Sequence, residues 1–517
     1  MSDEDQAATG KHQVVKTLSL GQRVAEEERA DLASYFVETE HWRRVWEGDV
    51  DIVLAPKGGG KSAIYSMLVS RESDLFDRGI LLAPGENPTG APAFDQVDSD
   101  PPTSEMEFVG LWKLYFLTLV AQVLDNYEVR GSASTRLIGQ LREAGLLTGE
   151  LGKRTLVRRV MDYVRRYFNP SSAETTVSVD PTTSVPTAFT AKITFGEASV
   201  PTQVVGALNV DDLYLLADEA LETVGYQLWL VLDRLDVAFA ESRDLEKNAL
   251  RALFRAYRDL QPLSHIWLKI FLRSDIWRDI TAEGFREASH FTRELSLAWN
   301  NATLLQLVMQ RLVRNQGLCR YYGVQPMTVL ASVHEQRILF ERVYPPQVDL
   351  GTRKPKTFDW CLARTKDGHD EPTPRELIHL LSATRDRQLR RYEIGEPPPA
   401  GEALFDRQAL KDALPEVSEV RLTKTLYAEY SALKPHLERL EGQKTHHNDA
   451  SLAAVWGIEE SEARTIADRL VEVGFFERRG DRQQPTYWVP FMYRPALKLI
   501  QGSADGVAPV SDDTEPG

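Results

Sequence analysis

Three consecutive glycines, Gly58, Gly59 and Gly60, followed by Lys61, Ser62 and Ala63, are the residues of this 517-residue chain best suited to chemistry. Glycine has no Cβ, so its backbone can curl until several N–H groups converge on an anion, and a lysine closing the curl adds a mobile positive charge. With Lys57 beside them these residues form a phosphate cradle, in which Lys61 meets the outer phosphates of a nucleotide and Ser62 holds a magnesium ion. The strict pattern G-x-x-x-x-G-K-[ST] begins with glycine; Ala55 stands there, so the loop is a relaxed form. Its context fits the reading: Ile52-Val53-Leu54 before it is a buried strand by pattern, and Ala63 to Leu68 after it is a helix whose N-terminus would face the phosphates.

Hydrolysis needs a second magnesium ligand on a neighbouring strand. Gln227 to Leu232 is an apolar run that delivers Asp233 to its carboxyl end, the arrangement of a buried parallel strand. A second acid often follows directly to polarise water, but Arg234 occupies that position, leaving Asp236 either to place a water or to cap the next helix. The run His265 to Leu272 ends in Arg273-Ser274-Asp275. On the strand order of P-loop ATPases, Arg273 or Ser274 would sense the last phosphate; otherwise Arg273 pairs with Asp275 or Asp233. Pro372-Thr373-Pro374-Arg375-Glu376 opens a helix that Thr373 can cap. A cation in that first turn opposes the helix dipole by roughly 0.3–1 kcal/mol, which suggests another partner for Arg375, a nucleotide phosphate being one candidate.

These residues need a scaffold, and the pattern supplies one. Residues 1–20 and 501–517 read as disordered tails, 21–300 as the P-loop core, 301–393 as a helical lid, 394–402 as a proline-rich linker and 403–500 as a separate C-terminal domain. Within the core, helices are expected over Val24 to Phe36, Phe108 to Leu124 and Val210 to Thr223, a strand over 79–84, a loop over 84–104, and an inserted loop or hairpin over 169–206. The C-terminal order is a helix over Leu422 to Leu440, helices at 450–456 and 461–473, then a hairpin from Phe475 to Val489, which is a winged helix-turn-helix. Acidic residues outnumber basic ones around its second helix. Arg478, Arg479 and Arg482 on the hairpin are the better basic group, so the domain is expected to close over the nucleotide or meet a protein rather than read DNA.

A hydrophobic content of 42% and a charged content of 26% are those of a globular protein. No apolar run approaches the ~20 residues that span a bilayer and no signal peptide opens the chain, so the expected place is the cytoplasm, away from membranes. Cys319 and Cys361 form neither a metal spacing nor a disulfide framework. The net charge of −15, of which residues 1–15 carry −2 and residues 501–517 carry −4, leaves a body too acidic to coat nucleic acid.

The segments K-G-G-G-K-S-A at Lys57 to Ala63, L-V-L-D-R-L-D at Leu230 to Asp236, K-I-F-L-R-S-D at Lys269 to Asp275 and T-P-R-E-L at Thr373 to Leu377 resemble a bacterial family of P-loop ATPases related to the STAND and KAP-type members of the AAA+ class. Tyr35 to Thr39 and Leu297-Ala298-Trp299 are further pieces of that resemblance. It implies an α/β P-loop NTPase core, a parallel sheet flanked by helices, with a helical lid and a C-terminal winged-helix domain. It also implies ATP and Mg2+ as ligands, held by Lys61, Ser62 and Asp233, with Arg273 on the sensor strand and Arg375 on the lid. Similar ATPases occur in mobile-element and anti-phage systems. Ala55 is a minor departure; Arg234, in the place of the catalytic acid, points to slow turnover. The expected function is therefore an ATP-binding, slowly hydrolysing switch that acts through conformation, self-association or a separate effector protein. A DNA-binding initiator or loader is the alternative.

Overall fold

The computed structural model describes residues 3–22, 28–86, 102, 104–147, 152–167, 175–179, 186–191, 209–235, 243–282, 284–481, 483–504 and 507. The chain divides into two compact units. One comprises Glu40–Ala55 and Lys61–Leu297; the other comprises Met1–Thr39, Pro56–Gly60 and Ala298–Gly517.

The first unit is built on strands β1 (Ile52–Ala55), β2 (Ile80–Pro84), β5 (Gln227–Leu232), β6 (Ile266–Arg273) and β7 (Glu294–Ser296), in the order β2-β5-β6-β1-β7. All four pairings are parallel, so every carboxyl end lies on one edge. Strands β3 (Thr175–Val179) and β4 (Pro186–Ala191) form a separate antiparallel hairpin within the expected insertion. The sheet strands are apolar almost throughout because both faces are covered. Alternation sorts them: Ile52, Leu54, Leu81, Leu228, Leu230, Leu232, Leu268, Ile270 and Leu272 join one large core, leaving Val53, Trp229, Val231, Phe271 and Lys269 for the other face.

That core centres on helix Glu105–Asn126, whose start is fixed by Ser104 accepting a hydrogen bond from the Glu107 N–H at 3.2 Å. Among the described residues it is the one helix long and apolar enough to cross a membrane, which corrects the expectation of no such run; 83% of its apolar window is buried inside the protein, as in a core helix. On the opposite face, Lys269 is 1% exposed. Its ammonium donates to Asp51 Oδ1 at 2.8 Å and to the carbonyls of Val50 at 2.7 Å and Gly48 at 3.0 Å, with the Trp229 ring 4.6 Å away. Arg293 Nε and Tyr257 Oη complete the shell of Asp51, at 2.7 and 2.9 Å from Oδ2. Burial lowers the Lys269 pKa, and the Asp51 charge opposes that drop.

In the second unit, helices Asn301–Val313 and Pro374–Glu393 occupy the expected lid, joined by Gln316–Tyr322, Pro326–Leu330, Val333–Val343 and Thr357–Thr365. Three expectations are corrected here. The first twenty residues are not a tail: helix Asp3–Thr17 is followed by Leu18 and Leu20, which enter the lid core with Val14 and Val15. The proline-rich stretch 394–402 is no free linker, since Lys11 Nζ donates to the carbonyls of Pro399 at 2.7 Å and Gly401 at 2.6 Å. The helix expected over Leu422 to Leu440 is instead a π-turn at Leu422–Tyr427, which continues helix Arg407–Arg421, a 3-10 turn at Ser431–Leu433 and a short helix at Lys434–Glu438. The helix expected from Val24 begins, among the described residues, at Arg29 and ends at Tyr35.

Strand β8 (Lys444–Asn448), helices Asp449–Trp456 and Glu460–Glu472, and strands β9 (Glu477–Gly480), β10 (Pro485–Trp488) and β11 (Ile500–Ser503) follow. The sheet order is β11-β8-β10-β9, with Trp456, Leu470, Phe475, Phe476 and Tyr487 in the core beneath it. Strand, two helices and hairpin make a winged helix. The expected acidic tail, 501–517, is corrected at its start, since residues 501–503 are the end of β11; residues 505, 506 and 508–517 lie outside the described residues.

Replacing Asp51 with alanine strands the Lys269 charge in the interior and should cost roughly 3–5 kcal/mol of stability in urea unfolding. A double replacement of Asp51 and Lys269 by leucine should recover part of that loss.

Candidate functional site

In the sheet unit, β1 ends at Ala55 and helix Lys61–Ser70 starts where the glycine loop closes. Lys61 Nζ reaches back to donate to the Ala55 carbonyl at 3.1 Å, so its charge is folded over the mouth of the loop. Ser62 and Ala63 lie in the first turn of that helix. On β6, Arg273 pairs in register with Ala55, which sets it directly beside the start of the loop. Its guanidinium forms a two-pronged ion pair with Asp275, at 3.0 and 2.6 Å. Asp233 follows the last residue of β5 and is 3% exposed, although it is a carboxylate at the end of an apolar strand. Arg234 then takes a left-handed backbone conformation, φ +59°, that a non-glycine residue adopts at a cost of about 1 kcal/mol. Asp236 lies outside the described residues.

Mg2+ keeps much of its water and is held by one or two protein oxygens together with substrate phosphates. A hydroxyl at the start of the loop helix and a buried carboxylate at the strand edge fit that requirement. Ser62 and Asp233 are the residues that would hold it, and no cluster of three acidic, histidine or cysteine side chains exists among the described residues to form an independent metal site.

The tip of the loop, Pro56–Gly60, belongs to the second unit, and three side chains there bear on it. Gly58 and Gly60 have φ of +81° and +102°, and Gly59 N–H closes a turn on the Pro56 carbonyl at 3.0 Å. A Cβ on Gly58 would sit 2.9 Å from Cβ of Arg375, so the loop backbone and the start of helix Pro374–Glu393 touch there. Arg375 Nε is buried and makes no hydrogen bond among the described residues, a donor that an anion on the loop would satisfy. Trp299 Nε1 donates to the Gly59 carbonyl at 2.8 Å, and its ring lies against Gly60. Lys57 forms an ion pair with Glu429, just after the π-turn, rather than pointing into solvent.

Beneath Arg375, Glu376 is held by a buried network. Thr373 does not cap the helix backbone as expected; its hydroxyl donates to Glu376 Oε2. Arg421 Nη1 donates to Glu376 Oε1 at 3.0 Å, and Nη2 to Asp367 Oδ2 at 3.4 Å. Burial pushes the Glu376 carboxyl up, but the Arg421 and Arg375 charges and the Thr373 hydroxyl outweigh it, and its pKa falls below the ordinary range. Sequence reasoning missed Trp299, Glu429 and Arg421 as supports of the loop. A tryptophan directly ahead of a capped helix was the one available signal, and it was noted only as part of a resemblance.

The wing is less open to an anion than its composition implied. Arg478 pairs with Asp468, and Arg479 pairs with Glu477 at 2.7 Å while lying over the Trp488 ring. Arg482 lies outside the described residues.

The sequence matches no protein-family model and no curated protein. Among solved structures, the chain is similar to the ORC1 protein of Aeropyrum pernix in complex with DNA, at 12% identity over 88% of this chain and 91% of that one, with a TM-score of 0.36. It is also similar to the ORC2 protein of the same organism in its ADPNP–ADP complexes, at 12% identity over 93% and 96%, with a TM-score of 0.29. The ADP form of that protein gives 12% identity over 91% of each chain and a TM-score of 0.30.

Replacing Arg421 with methionine leaves Glu376 and Asp367 without their shared cation and should cost roughly 3–5 kcal/mol at pH 7. In the parent, the lowered Glu376 pKa contributes stability above the unfolded-state value of about 4.3 and loses it as pH falls through the folded value. In the variant the buried charge is itself the cost, so the deficit against the parent should shrink as pH is lowered toward 4. Urea unfolding at several pH values measures this, and a deficit constant with pH would refute it.

Proposed function

We propose that the chain is an AAA+-type P-loop ATPase that binds ATP with Mg2+, hydrolyses it slowly and works as a nucleotide-controlled switch. The observation that carries this reading is the loop itself. A buried strand runs into glycines at positive φ and then into a helix headed by Lys61 and Ser62, and a buried Asp233 lies on the same sheet edge. Lys61 and the loop N–H groups would hold the outer phosphates, and Ser62 and Asp233 the metal, which supplies charge neutralisation between the last two phosphates. Arg273, now paired with Asp275, would exchange that partner for the terminal phosphate, and Arg375 would offer its unsatisfied Nε–H to the nucleotide on the loop.

The regulatory part of the proposal is supported by the contacts made by the tip of the loop. Within one unit, Lys57 pairs with Glu429, the Gly58 backbone lies against Arg375, and the Gly59 carbonyl accepts from Trp299. A ligand that displaces any of these three contacts alters the lid and winged helix as well as the loop. Output would then pass through self-association or a separate effector. A place in anti-phage or mobile-element systems follows only from the family resemblance. The DNA-loader reading is the second one, and in it Arg478 and Arg479 would exchange their acidic neighbours Asp468 and Glu477 for phosphates.

Lys61→Ala and Asp233→Ala should each abolish ATPase activity, and Lys61→Ala should also remove the rise in melting temperature that saturating ATP and Mg2+ give the parent. Mass measurement with and without nucleotide tests the switch: a nucleotide-dependent assembly is expected, and an unchanged monomer that binds no ATP would sink the proposal. A salt-sensitive gel shift lost on replacing Arg478 and Arg479 with alanine would favour the DNA reading instead.

A further inference from the structure

Arg234 leaves a gap in the chemistry, because a base that takes a proton from the attacking water is expected beside Asp233. The neighbouring strand fills it. Strand β2 pairs with β5 so that Pro84 lies opposite Val231, and the Gly85 N–H continues the ladder by donating to the Val231 carbonyl at 2.8 Å. Two residues further along this register, Glu86 comes level with Asp233. Within the strands, Ile80 and Leu82, like Trp229 and Val231, lie on the face away from the core that holds Leu81 and Leu228. Phe271 and Arg273 of β6 share that face, and the Phe271 ring meets Tyr65 of the loop helix edge-on at 6.1 Å. Glu86 is 1% exposed.

Its backbone is fastened unusually well for a segment beyond the end of a strand. Lys153 Nζ donates to the Pro84 carbonyl, Tyr115 Oη to that of Gly85, and Tyr65 Oη to that of Glu86 at 3.2 Å. Three successive carbonyls are thus held by side chains from three different helices. One of these, Tyr65, sits four residues after Lys61 on the helix that closes the phosphate loop. A Cβ on Gly85 would run into Cδ2 of Leu232, so any other residue there would force that side chain to move. Burial lowers the Lys153 pKa to about 8, and the Glu86 charge partly restores it, which places the carboxylate within electrostatic reach of that amine.

We propose that Glu86 is the general base of this ATPase, taking the place of the acid that Arg234 displaces from the usual position. The inference rests on the ATP site proposed above and adds its catalytic group. As the water oxygen bonds to the terminal phosphorus, a water proton passes to a Glu86 carboxylate oxygen. The bond between that phosphorus and the bridging oxygen breaks, its electron pair stays on ADP, and the Glu86 proton is then released to solvent.

The test uses the full chain, ATP and Mg2+ under single-turnover conditions. Glu86→Gln keeps shape and removes the base, so hydrolysis should fall by about 100-fold or more while affinity for a fluorescent ATP analogue is unchanged. Glu86→Ala should regain part of its rate when formate is added, which a purely structural role for the side chain would not allow. Hydrolysis by Glu86→Gln at the parent rate would overturn the inference. So would a parallel loss of binding and turnover without formate rescue, or a parent that binds ATP and never cleaves it. If the parent binds no ATP and Lys61→Ala changes nothing, the nucleotide reading itself falls first.

Discussion

Insertion of β6 between β1 and β5, all parallel, is the constraint on which the rest of the sheet unit depends. A parallel sheet covered on both faces has no place for polar groups along its length, so chemistry is pushed to the carboxyl edge, where backbone and side chains are released together. Register then decides which released residues become neighbours. Arg273 is paired with Ala55 at the mouth of the loop, and Pro84 with Val231 across β2 and β5, two residues short of Glu86 and Asp233. Lys269 is the one charged side chain among the sheet strands' buried residues, and it is tolerated because Asp51 and two carbonyls take up its three N–H donors.

A different balance governs the tip of the loop. Its backbone must keep positive φ at Gly58 and Gly60 while lying in contact with Arg375 and Trp299, so freedom of conformation is gained and then immediately restricted. The charges there are matched as well. Lys57 is neutralised by Glu429, and Glu376 by Arg421, leaving the Nε–H of Arg375 as the unsatisfied donor among these groups. Selectivity for an anion at such a place comes as much from the pairing of the other cations as from the presence of the arginine.

The elements legible in the sequence were those with local causes. The apolar runs ending in Ala55, Asp233 and Arg273 announced their strands, and the glycines announced the loop. The helical spacing from Phe108 to Leu124 disclosed the core helix, and the alternation of two helices with a hairpin disclosed the winged helix. What stayed hidden depends on partners distant in the chain. Helix Asp3–Thr17 has a polar composition, and its hold on the protein comes from Val14, Val15, Leu18, Leu20 and the reach of Lys11 to Pro399 and Gly401. Glu86 sits at the start of a loop rich in proline and glycine and gains its significance only from the register of β2 on β5. Trp299 and Glu429 carry no motif, because a single hydrogen bond or ion pair to a distant loop leaves no periodic trace.

The division of the chain has a consequence for synthesis on the ribosome. The sheet unit is nearly continuous from Glu40 to Leu297, and all its strands have emerged before the lid begins. The other unit is assembled from both ends of the chain, with Lys11 seated on carbonyls 388 and 390 residues away. Its amino-terminal helix must therefore wait, with Val14, Val15, Leu18 and Leu20 uncovered, until the far side of its core has been translated. Contacts of such separation form late and slowly. The glycine loop can emerge with the sheet, but its tip acquires its native neighbours only once Trp299, Arg375 and Glu429 have been translated.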